Sequence, residues 1–200
     1  MIRTAAAVLT LSLALTGGAL ARPESRDPAK VPAGTYVLDK AHASLVAKIA
    51  HLGGFSRLTM RFDKLDGSFS YDPANWRATK VTITVDPASV DTRMPGFNKQ
   101  IAGYFDVGKY PTITFVSTGI TGGENGEGVV NGDLTFHGVT KPVALQATFN
   151  GVGPGLLGAG TRVGFSGTAR INRTEFGERA VRQFAGDEVD LIFEAEFTKK

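Results

Sequence analysis

The 200-residue chain reads as an all-β protein, an antiparallel barrel with one short helical insert. Three features predict this. Apolar residues recur at every second position in a series of short runs, the spacing that gives a strand one buried and one wetted face. Turn-forming residues separate the runs, as in sandwiches and barrels built from hairpins. The first and last runs each carry an apolar face without obvious edge protection, so the sheet is expected to close on itself.

The amino terminus is expected to lie outside this fold. A basic start (Met1–Arg3), an apolar run (Ala5–Leu15) and the small-residue site Ala19-Leu20-Ala21 have the form of a secretory signal. Cleavage after Ala21 is expected, which predicts a periplasmic protein. The apolar run is shorter than the roughly 20 residues a bilayer requires. Arg22 stands where a lipid-anchored form would carry cysteine. Residues 22–33, polar and proline-rich, read as a mobile leader. Residues 34–200 remain as one domain, large enough for a full core without disulfides or metals. The chain has no cysteine with which to form a disulfide.

The elements follow in order. Gly34–Asp39 is a first strand, and Ser44–His51 a second with Leu45, Ala47, Ile49 and His51 on one face. Gly53-Gly54 breaks it. Leu58, Met60 and Phe62 alternate with Thr59 and Arg61, and Phe69 and Tyr71 precede the turn Asp72-Pro73-Ala74-Asn75. Val81, Ile83 and Val85 alternate cleanly with threonines. Phe97, Ile101 and Phe105 recur at four-residue spacing and predict a short amphipathic helix. After Tyr110-Pro111, Ile113 and Phe115 point inward, and glycine-rich Gly119–Gly128 reads as a hairpin. Leu134 and Phe136 lie on the next strand, and His137–Pro142 turns the chain. Val143, Leu145, Ala147 and Phe149 share a face, as do Phe165, Gly167, Ala169 and Ile171. Val189, Leu191, Phe193, Ala195 and Phe197 close the series. The count is eight or nine strands, and an eight-stranded barrel holds either packed side chains or one small ligand.

Several ordered segments carry a resemblance. They are Asp39-Lys40-Ala41-His42, Ile49-Ala50-His51-Leu52, Arg61-Phe62, Tyr104–Pro111 with Phe115, Gly132–Thr135, Gly138–Val143 and Ile171–Gly177. In this order and spacing the chain resembles the YceI-like family of periplasmic lipid-binding proteins, from about Gly34 to Phe197. The resemblance implies an extended, eight-stranded lipocalin-like barrel. Its bore would hold a long isoprenoid, quinone-like or fatty-acyl chain, and it implies no catalytic activity. Two positions depart from the family pattern: Ala47 replaces a usual aromatic residue, and Met60 replaces a usual glycine. If both face inward, the bore is widened at one point and filled at another.

The rest of the sequence sets limits. A net charge of +3 without a lysine or arginine run lacks the clustered basic stripe that nucleic acid requires. His42, His51 and His137 lie in separate segments without metal-ligand spacing, so no metal is expected; nor is any cofactor. His42 and His137 read as turn or rim residues. His51, on the face of Leu45 and Ile49, is either a core-edge histidine bonded to backbone or a contact for a ligand head group. Gly153–Gly158 matches G-x-G-x-x-G, but β-like residues follow where dinucleotide binding needs a helix. Ser166 in Gly164-Phe165-Ser166-Gly167 faces outward and is no nucleophile elbow. Asn172-Arg173-Thr174 has the form of a glycosylation sequon, and Arg173 and Glu175 are expected to bond locally and hold the turn into Phe176-Gly177.

The inward residues are therefore the candidate ligand contacts: Leu45, Ala47, Ile49, His51, Met60, Phe62, Ile83, Val85, Phe97, Ile101, Phe105, Phe115, Phe136, Leu145, Phe149, Phe165, Ala169, Leu191 and Phe193. Thirteen phenylalanines against one tryptophan, mixed with Ala47, Gly167 and Ala169, suit a channel that side chains do not close. The Phe97–Gly103 helix is a candidate lid or wall. The expected partner is a long apolar lipid, exchanged through transient membrane contact, and a homodimer is left open. Two rivals remain: an isomerase or cyclase using His51 with a carboxylate in the same cavity, and a packed barrel that binds a partner through its outer surface.

Overall fold

The computed structural model describes residues 23–155 and 158–200; the signal read in residues 1–21 lies outside them. The strands are β1 (Gly34–His51), β2 (Ser56–Phe62), β3 (Leu65–Tyr71), β4 (Lys80–Val85) and β5 (Val90–Asp91). After helix α1 (Pro95–Tyr104) come β6 (Ile113–Gly122), β7 (Glu127–Phe136), β8 (Val139–Pro154), β9 (Thr161–Asn172) and β10 (Ala185–Lys199). Neighbours run β10-β9-β8-β7-β6-β4-β3-β1, and β10 pairs back onto β1. The result is a closed, eight-stranded antiparallel barrel.

The two runs read as separate strands, Gly34–Asp39 and Ser44–His51, are one strand. β1 is continuous but shifts register between Leu38 and Ala43. Tyr36 and Leu38 face inward before the shift, and Leu45, Ala47 and Ile49 after it. On one side β1 meets β2 through Leu45–His51 and β3 through Gly34–Val37, so β2 and β3 act as one interrupted strand. The turn read across His137–Pro142 is only His137-Gly138, both with positive φ (51° and 76°). β8 resumes at Val139 and carries Pro142 opposite Asp133.

The barrel is solid at one end. Tyr36, Phe69, Phe149, Val163 and Phe197 form a closed core there, with the Tyr36 and Phe69 rings stacked at 4.9 Å and Phe69 edge-on to Phe197 at 5.0 Å. The segment read as a mobile leader is docked against this end. Ser25 bridges to Val152, Val31 is buried in the same core, and the hydroxyls of Tyr36 and Tyr71 donate to the carbonyls of Pro32 and Pro28, each at 2.8 Å. One apolar residue and a few backbone acceptors suffice to hold a polar stretch.

α1 packs beside β5, which pairs on one side only, with β2. The Asn98 side chain fixes its start, accepting from Thr92 N–H at 2.7 Å and Thr92 Oγ1 at 2.6 Å. The inner face of α1 packs Ile101 against the core of Ala47, Met60 and Phe62. The Phe105 ring, just past its end, stacks on Phe62 at 6.1 Å and meets Phe136 edge-on at 5.6 Å.

Two inner glycines make room for phenyl rings. A Cβ at Gly167 would collide with the Phe193 ring and the Gln146 carbonyl, and one at Gly132 with the Phe115 ring and the Val116 carbonyl. Because a backbone oxygen is one of the obstacles, side-chain rotation cannot relieve the clash. Gly167→Ala should therefore cost about 1–3 kcal/mol, read as a lower urea midpoint at unchanged m-value.

Candidate functional site

Above the solid end the barrel is hollow. The cavity has a volume of about 540 Å³ and a lining that is almost entirely apolar. That volume lies within the roughly 300–1,000 Å³ usual for small-molecule sites. Leu38, Phe69 and Phe197 form the floor; His51, Gln100 and Phe184 are exposed lining residues at the far end and mark the mouth, while a fourth, Glu194, lies opposite Ser44 on the β1–β10 seam beside the register shift. From Ala43 to His51 the strand rises on the order of 26 Å, which at a usual barrel tilt is about 20 Å of axial depth. This is the shape of a tube sealed at one end, suited to a single extended chain.

Most of the candidate contacts come together here. Leu45, Ala47, Ile49, His51, Met60, Phe62, Ile83, Val85, Phe97, Ile101, Phe105, Phe115, Phe136, Leu145, Phe165, Leu191 and Phe193 all line the cavity. Phe149 and Ala169 do not. Phe149 lies deeper, inside the solid core, and its ring meets Phe165 at 5.4 Å. Ala169 is a buried methyl beside Leu191 in the register, and the longer Leu191 takes the wall position. Gly167 does not open the bore either, since Phe193 covers it. Further wall residues are Leu58, Leu65, Val81, Ile113, Leu134 and Val189, all at inward positions of the alternation.

The two departures from the family pattern turn out to be neighbours. Ala47 and Met60 are direct cross-strand partners, both buried and both on the cavity wall. The bore is thus widened and filled at one level, with the methionine lying opposite the missing ring. Leu191 flanks Ala47 on its other side.

Apart from Ser44 and Glu194 on the β1–β10 seam, the polar lining groups sit around the mouth. Arg173 and Glu178 line it, although their side chains are only 5% and 4% exposed. Arg173 Nη1 donates to Glu178 Oε2 at 2.5 Å and to the Ala180 carbonyl at 2.8 Å. Its Nε donates to Gly186 O and its Nη2 to Ala185 O. Glu178 Oε1 accepts from Ala180 N–H at 2.7 Å. The pair ties residues 173–186 into a rim. Arg173 thus bonds locally as expected, whereas Glu175 reaches out of the turn to Lys141, at 3.5 Å. Gly177, with φ of +83°, reverses the chain after the 3₁₀ turn and brings Glu178 back onto Arg173.

The remaining motifs have local roles. His42 bonds Asp39 at 2.9 Å, and His137 packs on the Tyr110 ring at 4.7 Å. Asp39, His42 and Glu196 converge closely enough to suggest a metal site, but Arg162 bonds both carboxylates and occupies the place of a cation. Partial burial disfavours ionisation of Asp39, yet the hydrogen bonds from His42 and Arg162 outweigh it and hold the carboxyl below its usual range. Ser166 exchanges hydrogen bonds with Asn150 on the outer face. Asn172 caps the 3₁₀ turn by accepting from Thr174 N–H at 3.0 Å. Gly153 and Pro154 end β8, and β9 begins at Thr161 opposite Pro154; the middle of the glycine motif, residues 156–157, lies outside the described residues.

Known proteins share this architecture. The chain is 42% identical over 177 residues to a UPF0312 protein of Vibrio cholerae, covering 86% of this chain and 92% of that one. A UPF0312 protein of Pseudomonas fluorescens is 42% identical over 179 residues, covering 85% and 89%. Among solved structures, BcnA of Burkholderia cenocepacia superposes with a TM-score of 0.68 at 27% identity, over 80% of this chain and 98% of that one. A polyisoprenoid binding domain from Saccharophagus degradans, implicated in plant cell wall breakdown, gives 0.63 at 20% identity, over 82% and 98%, and so shares the fold. The family model for the YceI-like domain matches residues 36–197, from the first inward tyrosine to the last phenylalanine of the floor, and by that match and these relatives the chain belongs to the YceI-like family.

Proposed function

We propose that this protein is a periplasmic carrier or store for a long apolar lipid, an isoprenoid, quinone-like or fatty-acyl chain, held lengthwise in the bore. The observation that carries the reading is the cavity itself, about 540 Å³ walled almost wholly by hydrocarbon and aromatic rings. A packed barrel acting through its outer surface would need no such space. The basic, apolar and A-x-A arrangement of residues 1–21 supports export to the periplasm.

The energetics suit a long chain. Each buried methylene contributes about 0.8 kcal/mol, so one five-carbon unit adds roughly 3–4 kcal/mol gross. Association costs on the order of 4–15 kcal/mol, and several such units exceed this without a strong polar contact. Selectivity then follows bore depth and shape, with the mouth a secondary determinant. The fold shared with a polyisoprenoid-binding domain agrees with this class of ligand.

Organic extraction of the protein purified from its native host, followed by lipid mass spectrometry, tests the reading directly. A stoichiometric long-chain lipid is expected. His51→Ala should retain that lipid, because the hydrocarbon supplies the affinity. Recovery of no lipid, together with failure to take up a polyprenol or fatty acid on reconstitution, would remove the carrier reading. Turnover of a hydrophobic substrate that is lost in His51→Ala would establish the enzyme instead.

A further inference from the structure

We propose that the mouth of the barrel is a membrane-docking tip, through which the protein meets a bilayer surface to load or release its lipid. The inference rests on the lipid-binding reading for its purpose, but its geometry is independent of it. Among the described residues, five large apolar side chains stand out as exposed, and three of them, Leu52, Phe55 and Phe184, belong to this end. Phe55 is 94% exposed, Phe184 50% and Leu52 45%. A phenylalanine with almost no protein contact gains nothing for the fold, and clustered exposed apolar groups mark interaction surfaces.

The tip is built to protrude. Leu52, Gly53 and Gly54 all have positive φ (46°, 69° and 104°), and no atom lies within 4 Å of where a Cβ would stand on either glycine. The β1–β2 turn therefore reaches into open solvent with Phe55 near its apex. It is tied to the facing rim, since Leu52 N–H donates to the Phe184 carbonyl at 2.7 Å. Phe184 also lines the cavity, so the exposed patch runs without interruption into the bore. A hydrocarbon chain leaving a bilayer along this path would remain against apolar surface.

The charges beside the patch favour a bilayer over a second copy of the chain. The turn itself, residues 52–58, carries Arg57 and no acidic residue. The rim segment adds exposed Arg179 and Arg182. The nearby acids are engaged, Asp190 with Arg57 at 2.5 Å and Asp187 with Arg182 at 2.7 Å, while Arg179 forms no ion pair among the described residues. Those pairings neutralise Arg57 and Arg182 in turn, so the uncompensated charge beside the patch is Arg179, and two copies meeting mouth to mouth would set one such arginine against the other. An apolar tip with an unpaired arginine beside it instead matches an anionic interface, where aromatic side chains insert and basic ones pair with phosphates.

The test uses the purified full chain, Phe55→Ser, and vesicles of phosphatidylcholine with phosphatidylglycerol. Phe55 is 94% exposed, so the variant should fold with an unchanged urea midpoint. Burial of one phenyl ring predicts roughly tenfold weaker vesicle binding for the variant, with correspondingly slower transfer of a fluorescent lipid from vesicles. Equilibrium uptake of the same lipid from dilute ethanol should be unchanged. Equal vesicle binding by both proteins overturns the proposal, even if lipid uptake persists. So does sedimentation showing that the wild type is a dimer and Phe55→Ser a monomer. Vesicle binding that depends on Phe55 without any lipid uptake would uphold the docking tip and remove the carrier reading alone.

Discussion

Replacing Arg173 by methionine is expected to lower folding stability by about 3–5 kcal/mol, the usual cost of removing one member of a buried ion pair. The guanidinium is the hub of the rim: it bonds Glu178 and the carbonyls of Ala180, Ala185 and Gly186. Methionine fills much of the volume but donates nothing. Glu178 would remain inside with the Ala180 N–H as its hydrogen-bond partner, and three carbonyls would lose a donor. Each buried acceptor left unmade costs about 1–3 kcal/mol when water cannot reach it, so the estimate sits at the low end of the sum. Urea unfolding at constant m-value measures the loss. The double variant Arg173→Met/Glu178→Met should recover a large part of it, because an apolar replacement of both charges removes the stranded carboxylate. A loss below about 1 kcal/mol in the single variant would mean that solvent reaches the pair and that the rim is not held by it.

The wall of the cavity was legible in the sequence because inward and outward positions differ in polarity at period two. Leu45, Ala47, Ile49, Leu191 and Phe193 are examples, and the pattern placed them on the correct face. Depth along the barrel is a different matter. Alternation says that Phe149 points inward but not how far it lies from the mouth, and it belongs to the sealed end. The sealed end itself depends on the phase change in β1 between Leu38 and Ala43, which the sequence shows only as a break between two runs. Arg173 illustrates a second limit. Local bonding at this turn was legible, but the partner was not: the left-handed Gly177 turns the chain so that Glu178 arrives at Arg173. The Phe176-Gly177 dipeptide was the available signal. Val31 was invisible for the opposite reason: a lone apolar residue among prolines and charges carries no periodicity at all.

Ala47→Phe is expected to shorten the lipid that the barrel accepts. Ala47 is a wall residue with Met60 and Leu191 as its cross-strand neighbours, so a new phenyl ring has little room beside the wall and must enter the bore. If it displaces three methylenes of the bound chain, the native-length ligand loses roughly 2.4 kcal/mol, about fiftyfold in affinity, while chains that end short of this level are unaffected. Native mass spectrometry with a ladder of chain lengths reads the shift directly. The pairing of Ala47 with Met60 supplies the control. In Ala47→Phe/Met60→Gly the large and small residues exchange places across the same two strands, the arrangement the family resemblance leads one to expect, and long-chain binding should return. Recovery in the double variant would show that the methionine stands in for the missing ring. An unchanged preference in the single variant would mean that the chain does not pass this level of the barrel, and the lengthwise binding mode would have to be abandoned.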